Sequence, residues 1–215
     1  MAKYCISKKF DFSGKETANV AAVMKMFGLT KEKLTEAAVE HSCSLEVKAG
    51  DIVYITGPSG AGKSVLLKEL ERKVPTRDRV NLNNIGLFDD RAVIDCLGLD
   101  FLQSLRMLSK AGLSDVFCLL NKPVYLSDGQ KYRFRLAMAL AASKKFIFAD
   151  EFCSSLDRIT AAVISCNIRR FADRHKAIFI LAGSAEDILI DLEPDVVLIK
   201  ELVGTTRVIY KSNGV

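Results

Sequence analysis

One glycine-rich stretch decides the fold of this chain, and it reads Gly57-Pro58-Ser59-Gly60-Ala61-Gly62-Lys63-Ser64. It fits the pattern G-x-x-x-x-G-K-[ST] at every position. The apolar residues 51–56 before it predict a buried strand, and residues 63–73 after it predict a helix. Glycines let the backbone curl so that successive N–H groups point inward, and the start of the helix adds its positive dipole end. The stretch therefore predicts a loop that binds the phosphates of a nucleotide.

Two side chains of this phosphate loop, residues 57–64, have predicted roles. Lys63 is expected to reach the β- and γ-phosphates of a nucleoside triphosphate, and the Ser64 hydroxyl is expected to bind Mg²⁺. A glycine turn that carries Lys-Ser by chance is disfavoured, because the spacing, the strand and the helix all agree. The loop alone does not separate a hydrolase from a small-molecule kinase.

Composition restricts the class of protein. The 215 residues suit one domain, and the 49% of apolar residues allow a sizeable core. The net charge of +5 is too small to establish a nucleic-acid partner. Six cysteines without a CxxC pair, with only two histidines, indicate small apolar residues in a reducing compartment. No signal peptide or long apolar run is visible, so we expect a soluble, cytoplasmic protein.

Strands alternate with helices along the rest of the chain. The predicted strands cover residues 3–12, 44–48, 51–56, 80–82, 145–149, 177–181, 196–199 and 207–210. The predicted helices cover residues 16–29, 31–40, 63–73, 101–111, 127–142 and 158–174. This alternation predicts a mostly parallel sheet with helices on its faces.

Two further motifs carry polar groups at the ends of predicted elements. Leu126-Ser127-Asp128-Gly129-Gln130 opens a predicted helix, where a hydroxyl, a glycine N–H and the helix N-terminus together can hold an anion. The alternative is an ordinary helix N-cap. The second motif is the apolar run 146–149, which ends in Asp150-Glu151 and is followed by Ser155-Leu156-Asp157.

Together these motifs resemble those of ABC-type ATPases. Residues 126–130 resemble the LSGGQ signature, with Asp128 in place of the first glycine. Residues 146–151 resemble the Walker B strand, and residues 155–157 match the D-loop. The resemblance covers residues 44–198 and looks closest to a stand-alone prokaryotic and phage subgroup that is sometimes fused to a predicted acetyltransferase.

The resemblance implies an α/β fold of the P-loop NTPase type, with an antiparallel N-terminal β part and a short helical lobe that carries the signature. We expect one domain over residues 1–215, with a core lobe at 1–84 and 145–215 and the helical lobe at 91–142. ATP would bind at residues 57–64, with Mg²⁺ held by Ser64 and Asp150. Glu151 would polarise the attacking water.

In the family this site is shared between two copies in a head-to-tail dimer. The resemblance therefore implies an ATP-dependent homodimer in which Ser127, Gly129 and Gln130 contact the γ-phosphate of the partner's loop. Asp157 would lie across the interface, which is compatible with its other reading as the N-cap of helix 158–174. Asp128 raises a question, since an acid beside a triphosphate is unfavourable unless it points away.

Two residues expected in the family are missing. No His follows the predicted strand 177–181, where Ser184 is the best polar substitute, and His175 precedes that strand. The second missing residue is a Gln expected between the phosphate loop and the signature. The Gln in that interval, Gln103, lies within a predicted helix and is therefore in the wrong place. Three residues remain as candidate amides: Asn81, Asn83 and Asn84. These absences predict slow turnover.

Several alternatives remain open. The first hypothesis is an ATPase that drives an unidentified macromolecule, such as a nucleic acid. Two alternative functions are a low-turnover nucleotide-dependent clamp and the ATP-binding subunit of a transporter. A P-loop kinase is the least favoured alternative. The short segment 64–126 without the Gln disfavours a membrane subunit as partner. The residue that stacks on the base is also open, with four candidates: Tyr4, Phe10, Phe12 and Phe27.

Overall fold

The structure is a computed structural model that describes residues 2–9, 15–36, 40–202 and 206–211. Phe10 and Phe12 lie outside these ranges. In chain order the described elements are β1 (Ala2–Lys9), α1 (Ala18–Met26), α2 (Lys31–Glu36), β2 (Glu40–Val47), β3 (Ile52–Thr56), α3 (Lys63–Lys73), β4 (Arg79–Asn81), α4 (Phe101–Lys110), α5 (Val116–Leu120), α6 (Asp128–Ala141), β5 (Phe146–Ala149), α7 (Arg158–His175), β6 (Ile178–Ala182), α8 (Leu189–Leu192), β7 (Val196–Ile199) and β8 (Arg207–Tyr210).

The strands form two sheets. The larger has the order β4-β5-β6-β3-β7-β8, and its neighbours are parallel except for the last pair, β7 and β8. Strands β1 and β2 form a separate antiparallel pair, with Ala2 opposite Val47. This arrangement confirms the predicted α/β class, the mostly parallel sheet and the antiparallel N-terminal part.

The central strand β3 is buried on both faces. Ile52 and Tyr54 pack into the core beneath α4, α6 and α7, whereas Val53 and Ile55 pack into the core shared with α3, β1 and β2. Successive strand side chains point to opposite faces, so a strand covered on both sides needs a continuous apolar run. This explains why residues 52–55 show no polar alternation.

The parallel arrangement brings distant segments to one edge of the sheet. The carboxyl ends of β3, β4, β5 and β6 meet there, so the loops that follow them are neighbours. We call this the phosphate-loop edge; it carries residues 57–62, 82–84, 150–152 and 183–184. The amino ends of the same strands form the opposite edge.

Some element boundaries differ from prediction. Helix α1 begins after Thr17, whose hydroxyl accepts the N–H of Val20, and it ends before Gly28, which has φ of +62°. Its predicted range of 16–29 was therefore too long at both ends. Glu40, predicted as a helix end, begins β2 opposite Lys9, because cross-strand pairing overrides the local helical pattern. Helices α5 and α8 were not predicted, since each is about one turn long.

Two global features complete the fold. All six cysteines are free thiols. None of the helices within the described ranges combines the length and the apolar character needed to cross a bilayer.

Candidate active site

The phosphate loop is shaped by glycines in backbone conformations that other residues rarely adopt. Gly57, Gly60 and Gly62 have φ of +142°, +78° and +93°. A Cβ on Gly57 would lie 2.0 Å from the carbonyl oxygen of Lys200, so only glycine fits there. Gly62 occupies the N-cap of α3 and provides no side-chain cap. The first N–H groups of α3 are therefore left to a ligand, as an anion site requires.

Lys63 places its charge within this loop. The side chain is buried, and Nζ donates to the carbonyl oxygens of Gly57 at 2.8 Å and Pro58 at 3.0 Å. The ammonium thus lies against the inner backbone of the loop. A phosphate bound by the loop N–H groups would meet this charge directly.

The two predicted metal ligands are in contact. Ser64 Oγ donates to Asp150 Oδ1 at 3.0 Å, although the residues are 86 positions apart in sequence. A hydroxyl and a carboxylate are hard oxygen ligands of the kind that Mg²⁺ takes beside nucleotide phosphates. The residues present therefore fit a Mg²⁺ ion.

Glu151 stands on a strained turn at the end of β5. Its φ is +53° and that of Cys153 is +59°, a left-handed conformation uncommon for residues other than glycine. The Glu151 N–H donates to Asp150 Oδ1 at 3.1 Å, and the Phe152 N–H donates to Ala182 O at 2.8 Å. The hydrogen bond from Phe152 therefore joins the turn to the end of β6. The Glu151 side chain is exposed at the phosphate-loop edge.

Asn83 supports the same turn from the other side. Its Oδ1 accepts the N–H of Asp150 at 2.8 Å, and its Nδ2 donates to Asp150 O at 3.2 Å. By contrast, Asn81 donates to Glu71 at 2.7 Å, and Asn84 is exposed. Of the three asparagines that the sequence left open, Asn83 lies next to the candidate metal ligand.

The signature segment caps its own helix. Ser127 Oγ accepts the N–H of Gln130 at 3.4 Å, and Gln130 Oε1 accepts the N–H of Ser127 at 2.9 Å, which forms a capping box. Gln130 Nε2 also donates to the Cys118 sulfur at 2.9 Å. The Gln130 side chain is therefore engaged within its own chain. The Asp128 side chain is 95% exposed, and its Oδ1 lies 3.8 Å from Lys131 Nζ, so its charge is paired on its own helix.

The D-loop lies against the signature. A Cβ on Gly129 would meet Ser155 O at 3.4 Å and Leu156 Cδ2 at 3.5 Å. Asp157 is the N-cap of α7, and it accepts the N–H and the hydroxyl of Thr160 at 2.9 and 2.7 Å. These hydrogen bonds from Thr160 lower the pKa of Asp157. The amino ends of α6 and α7 therefore stand side by side at the phosphate-loop edge.

Known proteins resemble this chain in sequence over the region that holds the phosphate loop. The family model described as ABC transporter matches residues 41–101. The phosphonates import ATP-binding protein PhnC of Hyphomonas neptunium is 32% identical in an alignment of 169 positions that covers 60% of this chain and 65% of that protein. The sulfate/thiosulfate import ATP-binding protein CysA of Mesorhizobium japonicum is 30% identical in an alignment of 216 positions that covers 79% of this chain and 60% of that protein. The chain is homologous to the ATP-binding cassettes of ABC proteins.

Solved structures show the same fold. The dimeric structure of MJ0796, a bacterial ABC transporter cassette, has a TM-score of 0.68 at 19% identity and covers 85% of this chain and 95% of its own. MJ0796 in a post-hydrolysis state bound to ADP and Pi has a TM-score of 0.71 at 17% identity, with 97% of each chain covered. The chain spans 47–65% of the length of these curated relatives.

Ser184 lies after β6 in this cassette. It is exposed, and the preceding Gly183 donates its N–H to Ile55 O at 3.0 Å. A Cβ on Gly183 would lie 2.6 Å from the hydroxyl oxygen of Tyr54. The segment therefore follows β3 closely at the phosphate-loop edge, and the role of Ser184 stays a prediction.

Tyr132 is a contact of the Glu151 turn that no motif marked. It lies on α6, and its hydroxyl accepts the N–H of Cys153 at 3.1 Å. Burial raises the pKa of Tyr132 well above its usual range, and burial raises the pKa of the Cys153 thiol to about 12. Both groups are therefore neutral at physiological pH. The signature helix thus holds the backbone two residues after Glu151.

Two of the four residues proposed to stack on the nucleotide base, Tyr4 and Phe27, lie within the described ranges. The Tyr4 ring meets the Phe146 ring edge-on at 6.2 Å, at the start of β5 and hence away from the phosphate-loop edge. This contact disfavours Tyr4. Phe27 follows α1 and is 67% exposed.

Proposed function

We propose that this chain is a MgATP-dependent ATPase whose two copies close head to tail around two ATP molecules. One observation carries the proposal: the glycine cradle of residues 57–62 leads into Ser64, whose hydroxyl meets Asp150 at 3.0 Å. Backbone N–H groups that can bind phosphate and oxygen ligands that can bind Mg²⁺ are thereby combined in one site. Homology to ABC ATP-binding cassettes supports the same assignment.

The chain's own groups have distinct roles in this proposal. The N–H groups of residues 57–64 and the Lys63 ammonium bind the β- and γ-phosphates, and Ser64 and Asp150 hold Mg²⁺. When bound, Mg²⁺ neutralises charge on the phosphate oxygens. Glu151 accepts a proton from a water that attacks the γ-phosphorus, and the bond to the β-phosphate oxygen breaks to leave ADP and phosphate.

The shared site is supported by the paired amino ends of α6 and α7. Ser127, Gly129 and Asp157 stand at these ends, where the helix dipoles favour an anion such as the γ-phosphate of a second copy. We do not assign Gln130 a direct contact with ATP, because its side chain caps α6 and meets Cys118. Ser184 remains our candidate to replace the His that ABC-type ATPases carry after the strand corresponding to β6.

The proposed function leaves one question, which is the identity of the macromolecule that the dimer acts on. The relatives are named as ATP-binding proteins of importers, which favours a second candidate function as the ATP-binding subunit of a transporter. Against it stand the short segment 64–126 and its missing Gln, which favour another macromolecule as the partner. We place the chain in the cytoplasm, the compartment of ATP and of free thiols such as its six. Co-purification with a membrane protein from solubilised membranes separates the two candidates.

A Glu151→Gln variant tests the chemistry. It keeps the shape of the side chain but removes the base, so phosphate release should fall by about 10²- to 10⁴-fold while MgATP binding is kept. The variant should also accumulate as an ATP-bound dimer, measured by size-exclusion chromatography with light scattering.

The matched control is Glu193→Gln, which changes an exposed acid at the opposite edge of the sheet. It should keep wild-type turnover. Full Mg²⁺-dependent phosphate release in Glu151→Gln would exclude Glu151 as the base. Specific activity that does not depend on protein concentration would exclude the shared site, and tight MgATP binding without turnover in the wild type would favour the low-turnover clamp.

A further inference from the structure

A strongly basic surface lies at the edge of the sheet opposite the phosphate loop. Two adjoining cavities of about 120 and 110 Å³ open there, and both are lined by Phe171 and His175. We call them the basic cleft. Its cations are Lys110, Lys144, Arg170 and Arg174, with Arg106 close to Lys110.

The cleft forms where three helices end. Lys110 is the last residue of α4, His175 is the last of α7, and Lys144 follows α6. Asn167 Nδ2 donates to Lys110 O at 3.0 Å and thereby joins α4 to α7. Four of the five cations therefore lie on α4 and α7, and Lys144 lies in the loop between α6 and β5.

These charges have no acidic partners among the described residues. None of the five cations forms an ion pair there, and neither cavity is lined by Asp or Glu. Lys144 Nζ donates to a backbone carbonyl, and Lys110 Nζ lies 5.3 Å from the centroid of the Phe171 ring.

The charges repel one another. The pKa of Lys110 is lowered by burial and by Arg174 and Arg106. The pKa of His175 is lowered by burial and by Lys110 and Arg174. The negative end of the helix dipole attracts cations, which explains why one helix carries basic residues in its last turn, as α3 does at Arg72 and Lys73. It does not explain why three such ends converge without an acid between them.

We propose that the basic cleft binds the phosphate backbone of a nucleic acid. Cations spread over two cavities suit a chain of phosphates better than a single anion. The apolar residues of the cleft, Leu140, Ile147 and Phe171, are each buried, so none of them inserts into a lipid surface. The evidence for this site is independent of the proposed ATPase activity.

The position of the cleft relates it to the nucleotide site. Helices α6 and α7 begin at the phosphate-loop edge and end at the cleft, with lengths of about 21 and 27 Å at 1.5 Å per residue. Nucleic acid and ATP would therefore bind at the same time, at opposite ends of two rigid helices.

Fluorescence anisotropy of a labelled oligonucleotide tests the proposal. Single-stranded DNA, the matching RNA and the duplex are each titrated with the full chain over a series of salt concentrations. The double variant Lys110→Ala/Arg174→Ala should bind at least tenfold more weakly, and the slope of log K against log salt should fall by about 0.7 per lost contact on a single strand.

The control is Arg72→Ala/Lys73→Ala, which removes the same charge from another helix carboxyl end and should bind as the wild type does. Thermal unfolding and ATP turnover without nucleic acid are measured for every variant, so that misfolding or failure of the ATPase assignment is seen separately. Equal binding by the cleft variant, an equal loss in the control, or no binding to any of the three probes overturns the proposal. So does displacement by inorganic phosphate at matched ionic strength, or cleft-dependent binding to anionic lipid vesicles alone.

Discussion

At the scale of single residues, the site depends on a strained backbone that other side chains hold in place. Glu151 and Cys153 both adopt left-handed conformations. Such strain persists only where its surroundings over-determine it. Asn83 holds the turn before Glu151, and Tyr132 holds it two residues later. We therefore regard Tyr132 as a positioning residue for the proposed base.

Replacing Tyr132 with Phe tests this role. The variant keeps the buried ring but leaves the Cys153 N–H without its acceptor, which should lower the free energy of unfolding by about 1–3 kcal/mol. The released turn should lower kcat for ATP by about tenfold with little change in KM, since the phosphate loop is untouched. Steady-state phosphate release and urea unfolding measure the two effects.

The control is Tyr125→Phe, because Tyr125 is 71% exposed. It should change neither quantity. Loss of stability in Tyr132→Phe with an unchanged kcat would mean that Tyr132 supports only the fold.

At the scale of elements, the amino ends of α6 and α7 combine a structural and a proposed binding role. Ser127 caps α6 and Asp157 caps α7, and both helices begin at the phosphate-loop edge. A short polar side chain at an N-cap satisfies helix N–H groups and still leaves lone pairs for a partner. The two readings of these motifs are therefore compatible.

An Asp157→Ala variant should show a pH-dependent loss of stability. Thr160 lowers the pKa of Asp157 in the folded state, so its contribution is present above the unfolded pKa, near 3.9, and is lost as pH falls through the folded value. Near neutral pH the variant should melt about 2–4 °C below the wild type. The difference should shrink towards zero in strong acid. A constant difference from neutral pH into strong acid would contradict the ionic cap.

At the scale of the whole molecule, Arg169 joins three segments at the edge opposite the phosphate loop. From α7 it donates to Asp195 Oδ2 at 2.7 Å, to Gly50 O at 2.7 Å and to Asp173 Oδ1 at 2.6 Å. Asp195 in turn accepts the N–H of Ile52 at 2.8 Å. One guanidinium thus ties the start of β3, the start of β7 and the end of α7.

Arg169→Leu should weaken the entire domain. Removing one partner of a buried pair costs roughly 3–5 kcal/mol, and the loss here should be nearer 2 kcal/mol because the Asp195 side chain is 31% exposed. Urea unfolding should show a lower midpoint with an unchanged m-value. Arg170→Leu is the adjacent control, exposed and without an ion pair among the described residues, and it should shift stability by less than about 0.5 kcal/mol. Similar losses in both variants would argue against this network.

The sequence by itself determined the phosphate loop, the acids after β5, the capping motifs and the α/β class. Each depends on a contiguous run whose spacing and periodicity carry the physical information. Only the tertiary structure decided that Asn83 rather than Asn81 meets Asp150, that Tyr132 holds the Glu151 turn, and that scattered cations gather in one cleft. These contacts join residues tens of positions apart, and the order of the parallel strands, which no local pattern encodes, determines which loops become neighbours.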